Sequence, residues 1–343
     1  VNIIGNSSYG SPNVYDVDGD NEKELFFTTG SLSNPEGGVW AFNPDGSRWY
    51  ELDQNSGSTS GFINLACHTS ATPAITDMDN DGYAELAVTT HPISGAANSQ
   101  KLMIYKTTVD NNNDDLPDKQ FSDTTISGWE VNKGAVLADI DNNGTCEILV
   151  NNQSDENHVG INIFNSNGNV HSGWSNSTQQ NFGDCGYSMP VAFDFNNDGE
   201  KEIVIGCTEN GNHKAGIYIY KEDGTTYGQT NPIYEASNGY RNDFPPIVAD
   251  INNDGIFEII FLCATNTTAN IYAMKPDGTP VTGWDWNSSN HPAFTLSGSV
   301  SGGSYYGQNC PNFSVGDLDK DENLEVVCGD AGHLYIWSHS GGN

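Results

Sequence analysis

The chain has 343 residues, with 12 Lys plus Arg against 45 Asp plus Glu and a net charge of −33. A phosphate backbone or an anionic lipid surface needs basic neutralisation, so this balance argues against both as partners. No apolar run approaches the roughly 20 residues that span a bilayer. The opening VNIIGNSSYG has neither the basic start nor the apolar core of a signal peptide, so the chain reads as a mature or excised segment.

In chain order the first predicted element is a short strand, VNIIG. A four-strand unit follows. PNVY is a strand, DVDGDNEKEL an acidic loop, ELFFTT a second strand and GVWAFN a third. The turn in NPDGSRWY then leads to a weaker fourth, because Asp-Gly supplies the positive φ of a hairpin turn. The same unit recurs. Its loops are DMDNDGYAEL from Asp77, DIDNNGTCEI from Asp139, DFNNDGEKEI from Asp194, DINNDGIFEI from Asp250 and DLDKDENLEV from Asp317. The spacings from Asp16 onward are 61, 62, 55, 56 and 67 residues, a period that marks a repeat architecture. Four-stranded antiparallel sheets in radial repetition make a β-propeller. The expectation is an all-β fold, a single domain over 1–343, with six blades and the N-terminal strand completing the last. Seven blades is the alternative, and would need about one more period of chain.

Each loop places oxygen side chains at positions one, three, five and nine, and offers a backbone carbonyl at position seven. A tight loop turns alternate side chains toward one point, and hard oxygen donors suit Ca²⁺ better than zinc or copper. The expected ligands are Asp16, Asp18, Asp20, Glu24 and the Glu22 carbonyl in loop one. In loop two they are Asp77, Asp79, Asp81, Glu85 and the Tyr83 carbonyl, and in loop three Asp139, Asp141, Asn143, Glu147 and the Thr145 carbonyl. Loop four offers Asp194, Asn196, Asp198, Glu202 and the Glu200 carbonyl, and loop five Asp250, Asn252, Asp254, Glu258 and the Ile256 carbonyl. Loop six offers Asp317, Asp319, Asp321, Glu325 and the Asn323 carbonyl. Loops one, two and six carry four carboxylates at these positions, so charge favours tighter binding there. Position six needs a sharp bend. It is Gly in four loops, Asn21 in loop one and Glu322 in loop six, which makes loop six the poorest fit.

This pattern resembles the FG-GAP or VCBS repeat family, over nearly the whole chain. The resemblance implies a calcium-stabilised propeller. Its relatives by fold include integrin α-chain propellers, fungal calcium-bearing propeller lectins and rhamnogalacturonan lyases. The turns into Gly-Trp look like those of ancillary propellers of secreted bacterial proteins. A further segment, DNNNDDLPD, puts Asp110, Asn112, Asp114 and Asp118 at the same offsets and resembles a thrombospondin type 3 loop. It is either a seventh calcium site or a disordered acidic loop.

Of seven cysteines, Cys185 and Cys207 flank loop four, and Cys310 and Cys328 flank loop six. In a hairpin the sum of paired positions is constant. Both pairs sum to four relative to the loop start, which predicts disulfides 185–207 and 310–328 and an oxidising compartment. Cys67, Cys146 and Cys263 read as buried small apolar residues.

No phosphate loop, zinc-protease motif or nucleophile elbow occurs, and the chain reads as non-catalytic. The segments QTNPIYEASNGYRNDF and DWNSSNHPAFTLSGSVSGGSYYGQNC break the repeat. They hold Tyr234, Tyr240, Arg241, Trp286, His291, Tyr305 and Tyr306, a set suited to stacking on sugars if exposed. The other reading is that these aromatics fill gaps between blades. Trp129, Trp174 and Trp284 recur as Gly-Trp and read as structural. The expected role is a secreted, calcium-stabilised binding or adhesion module for glycan. The alternatives are a protein-interaction module, self-assembly included, and a polysaccharide lyase-like enzyme.

Overall fold

The computed structural model describes residues 10–31, 34–49, 63–65, 69, 71–90, 100–108, 118–126, 134–151, 160–174, 188–208, 215–228, 232–236, 242, 244–264, 269–284, 294–296, 313–329 and 333–341. Every regular element among them is a strand, and the strands form six antiparallel sheets, each in chain order. The first holds β1 (Asn13–Tyr15), β2 (Glu24–Ser31), β3 (Asn34–Phe42) and β4 (Ile63–Asn64). The second holds β5 (Ala74–Thr76), β6 (Glu85–Thr89), β7 (Lys101–Lys106) and β8 (Thr124–Thr125). The third has β9 (Ala135–Ala138), β10 (Glu147–Asn151) and β11 (Ile161–Phe164). The fourth holds β12 (Val191–Phe193), β13 (Glu202–Thr208), β14 (Ala215–Tyr220) and β15 (Tyr234–Glu235). The fifth holds β16 (Ile247–Ala249), β17 (Glu258–Ala264), β18 (Ala269–Met274) and β19 (Phe294–Leu296). The sixth has β20 (Phe313–Gly316), β21 (Glu325–Gly329) and β22 (Leu334–Trp337). The VNIIG strand expected to complete the last blade lies outside the described residues.

The chain divides into two compact units, Val1–Gln179 with sheets one to three and Gln180–Asn343 with sheets four to six. Within each unit the sheets pack face to face. Strands β6, β10 and β17 are buried at every residue, which explains their continuous apolar runs. Successive side chains still point to opposite faces. Leu86 and Val88 pack with Phe26 and Val39 of sheet one, whereas Ala87 packs with Ile148 and Val150 of sheet three. In the second unit Phe261 meets Val204 and Ile217 on one side, while Ile260 and Leu262 meet Val326 and Trp337 on the other. Each such Val, Leu, Ile or Phe side chain contributes about 1.5–3 kcal/mol on burial.

Two sequence expectations change. The fourth strand does not follow the DG or NG turn directly. After each such turn the chain makes one bridge to the end of strand three, as in Phe164 with Val170 and Met274 with Pro280, and then leaves. Gly173 and Gly283, both at positive φ, turn Trp174 and Trp284 into the core, and Trp284 Nε1 donates to the His339 carbonyl at 2.9 Å. Where a fourth strand is described, it pairs later, toward the opposite end of strand three. Trp129 lies outside the described residues.

The second change concerns the cysteines. Val191 pairs with Val204, and Phe313 with Cys328, so positions counted from the loop start sum to seven, not four. Cys328 therefore faces Phe313 and bears a thiol, and the 310–328 disulfide is not formed. No disulfide joins two described residues. Cys207, buried on β13, is disulfide-bonded, as the sequence predicted for it, while Cys185 and Cys310 lie outside the described residues.

Candidate metal loops

The six acidic loops join strand one to strand two of each sheet, and share one backbone conformation. The Asp at position one accepts the N–H of position six. The distances are 3.0 Å from Asn21, 3.0 Å from Gly82 and 3.0 Å from Gly144. They are 2.9 Å from Gly199, 2.9 Å from Gly255 and 3.3 Å from Glu322. Position five accepts the N–H of position seven, from Glu22, Tyr83, Thr145, Glu200, Ile256 and Asn323 in turn. Position nine opens strand two, and its Glu Oε2 accepts the N–H of position two. Val17, Met78, Ile140, Phe195, Ile251 and Leu318 are those donors, at 2.8–3.1 Å.

The bend at position six has positive φ in every loop, including Asn21 at 70° and Glu322 at 74°. So does position four: Gly19, Asn80, Asn142, Asn197, Asn253 and Lys320. Sequence reasoning passed over position four, although Asn or Gly in five of six copies carried the signal. Position two was missed as well. Its apolar side chain anchors the loop and is buried in loops one, two, three and five, while Leu318 of loop six is 57% exposed.

Carboxylate oxygens of positions one, three and nine converge within 4.8 Å in loops one, two and six: Asp16, Asp18 and Glu24; Asp77, Asp79 and Glu85; Asp317, Asp319 and Glu325. Loops four and five keep this conformation with Asn196 and Asn252 at position three. Asn196 donates to Glu202 Oε1 at 3.1 Å. Loop three differs. Asp141 and Glu147 converge there with His171, whose Nδ1 lies 2.7 Å from Asn165 Oδ1 and 3.9 Å from Glu147 Oε1. Burial holds the His171 pKa below its usual value. No sequence spacing marked this histidine, because only the return of the chain after the NG turn brings it to the loop.

The position-nine acids are under electrostatic load. Burial raises the pKa of Glu85, Glu147 and Glu258 to about 7, and raises Glu24 and Glu202 as well. Oε1 of Glu85 and of Glu258, with Asp79 Oδ1, is buried without a hydrogen-bond donor. A buried carboxylate oxygen without a donor is costly, and a cation relieves it. The donor sets therefore fit a hard divalent cation, which the oxygens of positions one, three and nine would hold. In loop two a cation of the chain itself stands near. Lys106 bonds Asp81 Oδ2 and lies 3.7 Å from Asp79 and 3.8 Å from Glu85.

Of the expected sugar-stacking set, Tyr234 is the one that lies among the described residues. Tyr234 sits on β15, 3% exposed, with its ring 4.8 Å from Phe261 and 5.0 Å from Tyr272. It is a core residue, because its strand is covered by sheet five of the same unit. Tyr240, Arg241, Trp286, His291, Tyr305 and Tyr306 lie outside the described residues, as do Asp110, Asn112 and Asp114. Asp118 is described, and its carbonyl accepts the Lys106 N–H at 2.8 Å.

Antiparallel sheets in series, each with an acidic loop between strands one and two, define a repeat protein of the β-propeller class. Residues 194–261 match the FG-GAP-like repeat family. The match spans loops four and five, and the same loop pattern recurs in the other four units. No curated protein matches it. Among solved structures it is similar to the Vibrio cholerae biofilm matrix protein Bap1, at 16% identity and a TM-score of 0.48, over 97% of this chain and 53% of that one. The chain thus spans about half of that structure's length. It is also similar to an Agrocybe aegerita lectin described as recognising non-reducing terminal N-acetylglucosamine. There the identity is 12% and the TM-score 0.45, over 97% and 81% of the two chains. A rhamnogalacturonan lyase from Bacillus licheniformis shows 15% identity and a TM-score of 0.36, over 97% and 49%.

Proposed function

We propose that the chain is a calcium-stabilised, non-catalytic binding module that works outside the cell, with carbohydrate as its ligand class. One observation supports the calcium reading: six loops share one hydrogen-bonded conformation that gathers oxygen side chains, and in loops two and five it leaves buried carboxylate oxygens of Asp79, Glu85 and Glu258 without a donor. A fold that gathers like charges in this way gains stability from a ligand that binds only the native state. The carbohydrate reading rests on the two segments that break the repeat. With Tyr234 assigned to the core, Tyr240, Arg241, Trp286, His291, Tyr305 and Tyr306 are its remaining candidates.

Thermal unfolding with calcium and with chelator tests the first part. The expected result is a lower melting temperature in chelator and recovery on adding calcium. An unchanged curve, with no metal by mass spectrometry, overturns it. A glycan array tests the second part. Binding that is lost in Trp286→Ala or Tyr305→Ala supports it. Self-association without glycan binding, or cleavage of a polysaccharide chain, replaces it.

A further inference from the structure

The loops differ in what stands opposite the position-nine Glu. In the second sheet Glu85 pairs directly with Lys106 across strands two and three. Continuing each register by one residue puts Asn43 opposite Glu24, Asn165 opposite Glu147 and Lys221 opposite Glu202. It likewise puts Lys275 opposite Glu258 and Ser338 opposite Glu325. Three of the six places therefore hold lysine, in a chain where Lys plus Arg number only 12. In loop two the ammonium reaches the acids of positions three, five and nine, and Gln120 Nε2 donates to Asp79 as well. In loop five Lys275 Nζ lies 3.5 Å from Asp254 Oδ2.

We propose that Lys106, Lys221 and Lys275 are resident counter-cations that divide the loops into two classes. Loops one, three and six lack a lysine opposite position nine and hold calcium tightly. Loops two, four and five have one there, which offsets part of their charge without donating to the buried Oε1 of Glu85 or Glu258, and hold it more weakly. This rests on the calcium reading above. An ammonium ion and a Ca²⁺ with ligands at about 2.3–2.6 Å cannot share one centre. Calcium must displace the lysine, and then bears the repulsion of a nearby like charge. Counting carboxylates alone would place loop two among the tight sites, and its cross-strand lysine reverses that.

The turns NPDG at 43–46 and KPDG at 275–278 differ only in this residue, so either side chain fits the turn. The test titrates calcium into the metal-free full chain by calorimetry and follows melting in chelator. Its variants are Lys106→Asn, Lys275→Asn and the reverse change Asn43→Lys. The wild type is expected to show three tight sites. Each Lys→Asn change should tighten one weak site by about tenfold or more and lower the melting temperature in chelator. Asn43→Lys should remove one tight site and raise melting in chelator. If one variant fails to fold, the other two still decide. Calcium binding with the same stoichiometry and affinities in all variants overturns this assignment alone. A chain that binds no calcium in any form overturns the calcium reading and this assignment with it.

Discussion

Glu85, Glu147 and Glu258 carry the largest electrostatic strain that the loops show. In the metal-free fold burial brings them to about 7, against 4.5 unperturbed. Between those values the folded chain holds protons that the unfolded chain has released, so stability falls as pH rises. Without metal, the protein should melt at a lower temperature at about pH 8 than at about pH 5.5. On the proposed calcium reading the ion takes the ionised form, so a calcium-induced rise in melting temperature should grow over the same range. Scanning calorimetry at both values, with and without calcium, checks both signs. Glu258→Gln keeps an acceptor for the Ile251 N–H while removing the buried charge. At about pH 8 it should raise the metal-free melting temperature by about 2 °C and reduce the response to calcium. A lower metal-free melting temperature would show that the charge is matched by a donor. Residue by residue, positions one, three, five and nine were legible because hard donors at that spacing have few other uses. His171 and the three lysines were not, because a cross-strand neighbour has no fixed offset in the chain.

At the scale of one element, the loop is a backbone shape before it is a candidate metal site. Positive φ at positions four and six suits Asn and Gly, and loop six supplies Lys320 and Glu322 there. A left-handed non-glycine residue costs about 1–2 kcal/mol, so Glu322→Gly should stabilise the protein by about 1 kcal/mol. Urea unfolding measures this, and a neutral or destabilising result would mean that the Glu322 side chain has a role of its own. Neighbouring loops are also tied together. The Cys146 N–H donates to the Met78 carbonyl at 2.7 Å, and the Leu324 N–H to the Ile251 carbonyl at 2.9 Å. Loop two is thus joined to loop three, and loop five to loop six. The fourth strand was the weakest part of the sequence reading. A DG turn closes its own short hairpin but says nothing of where the chain goes after one bridge. Tyr234 shows the consequence, since a polar, irregular stretch of sequence conceals a buried strand. Tyr234→Ala should cost about 3 kcal/mol or more, which equilibrium unfolding would register. A loss under about 1 kcal/mol would return this tyrosine to the exposed set.

Across the whole molecule, the acids outnumber the bases so far that the net charge of −33 opposes compaction. Self-repulsion destabilises a compact state, and salt screens it. Raising NaCl to about 0.5 M should therefore raise the melting temperature more in chelator than in calcium, where, on the proposed calcium reading, bound ions would already neutralise part of the charge. Equal salt effects under both conditions would place the charge away from the loops that set stability. The sequence by itself determined the repeat, the strand–loop–strand unit, the all-β class and the oxygen-rich donor set. Each of these is a local pattern, in which period and spacing carry the physics. Tertiary structure decided the hairpin register that places Phe313 opposite Cys328, the burial of Tyr234, and the approach of His171 to loop three. It also decided which loops face a lysine across the sheet. Pairing between strands is set by the packing of their faces and by turn geometry, and neither is written at any one place in the chain.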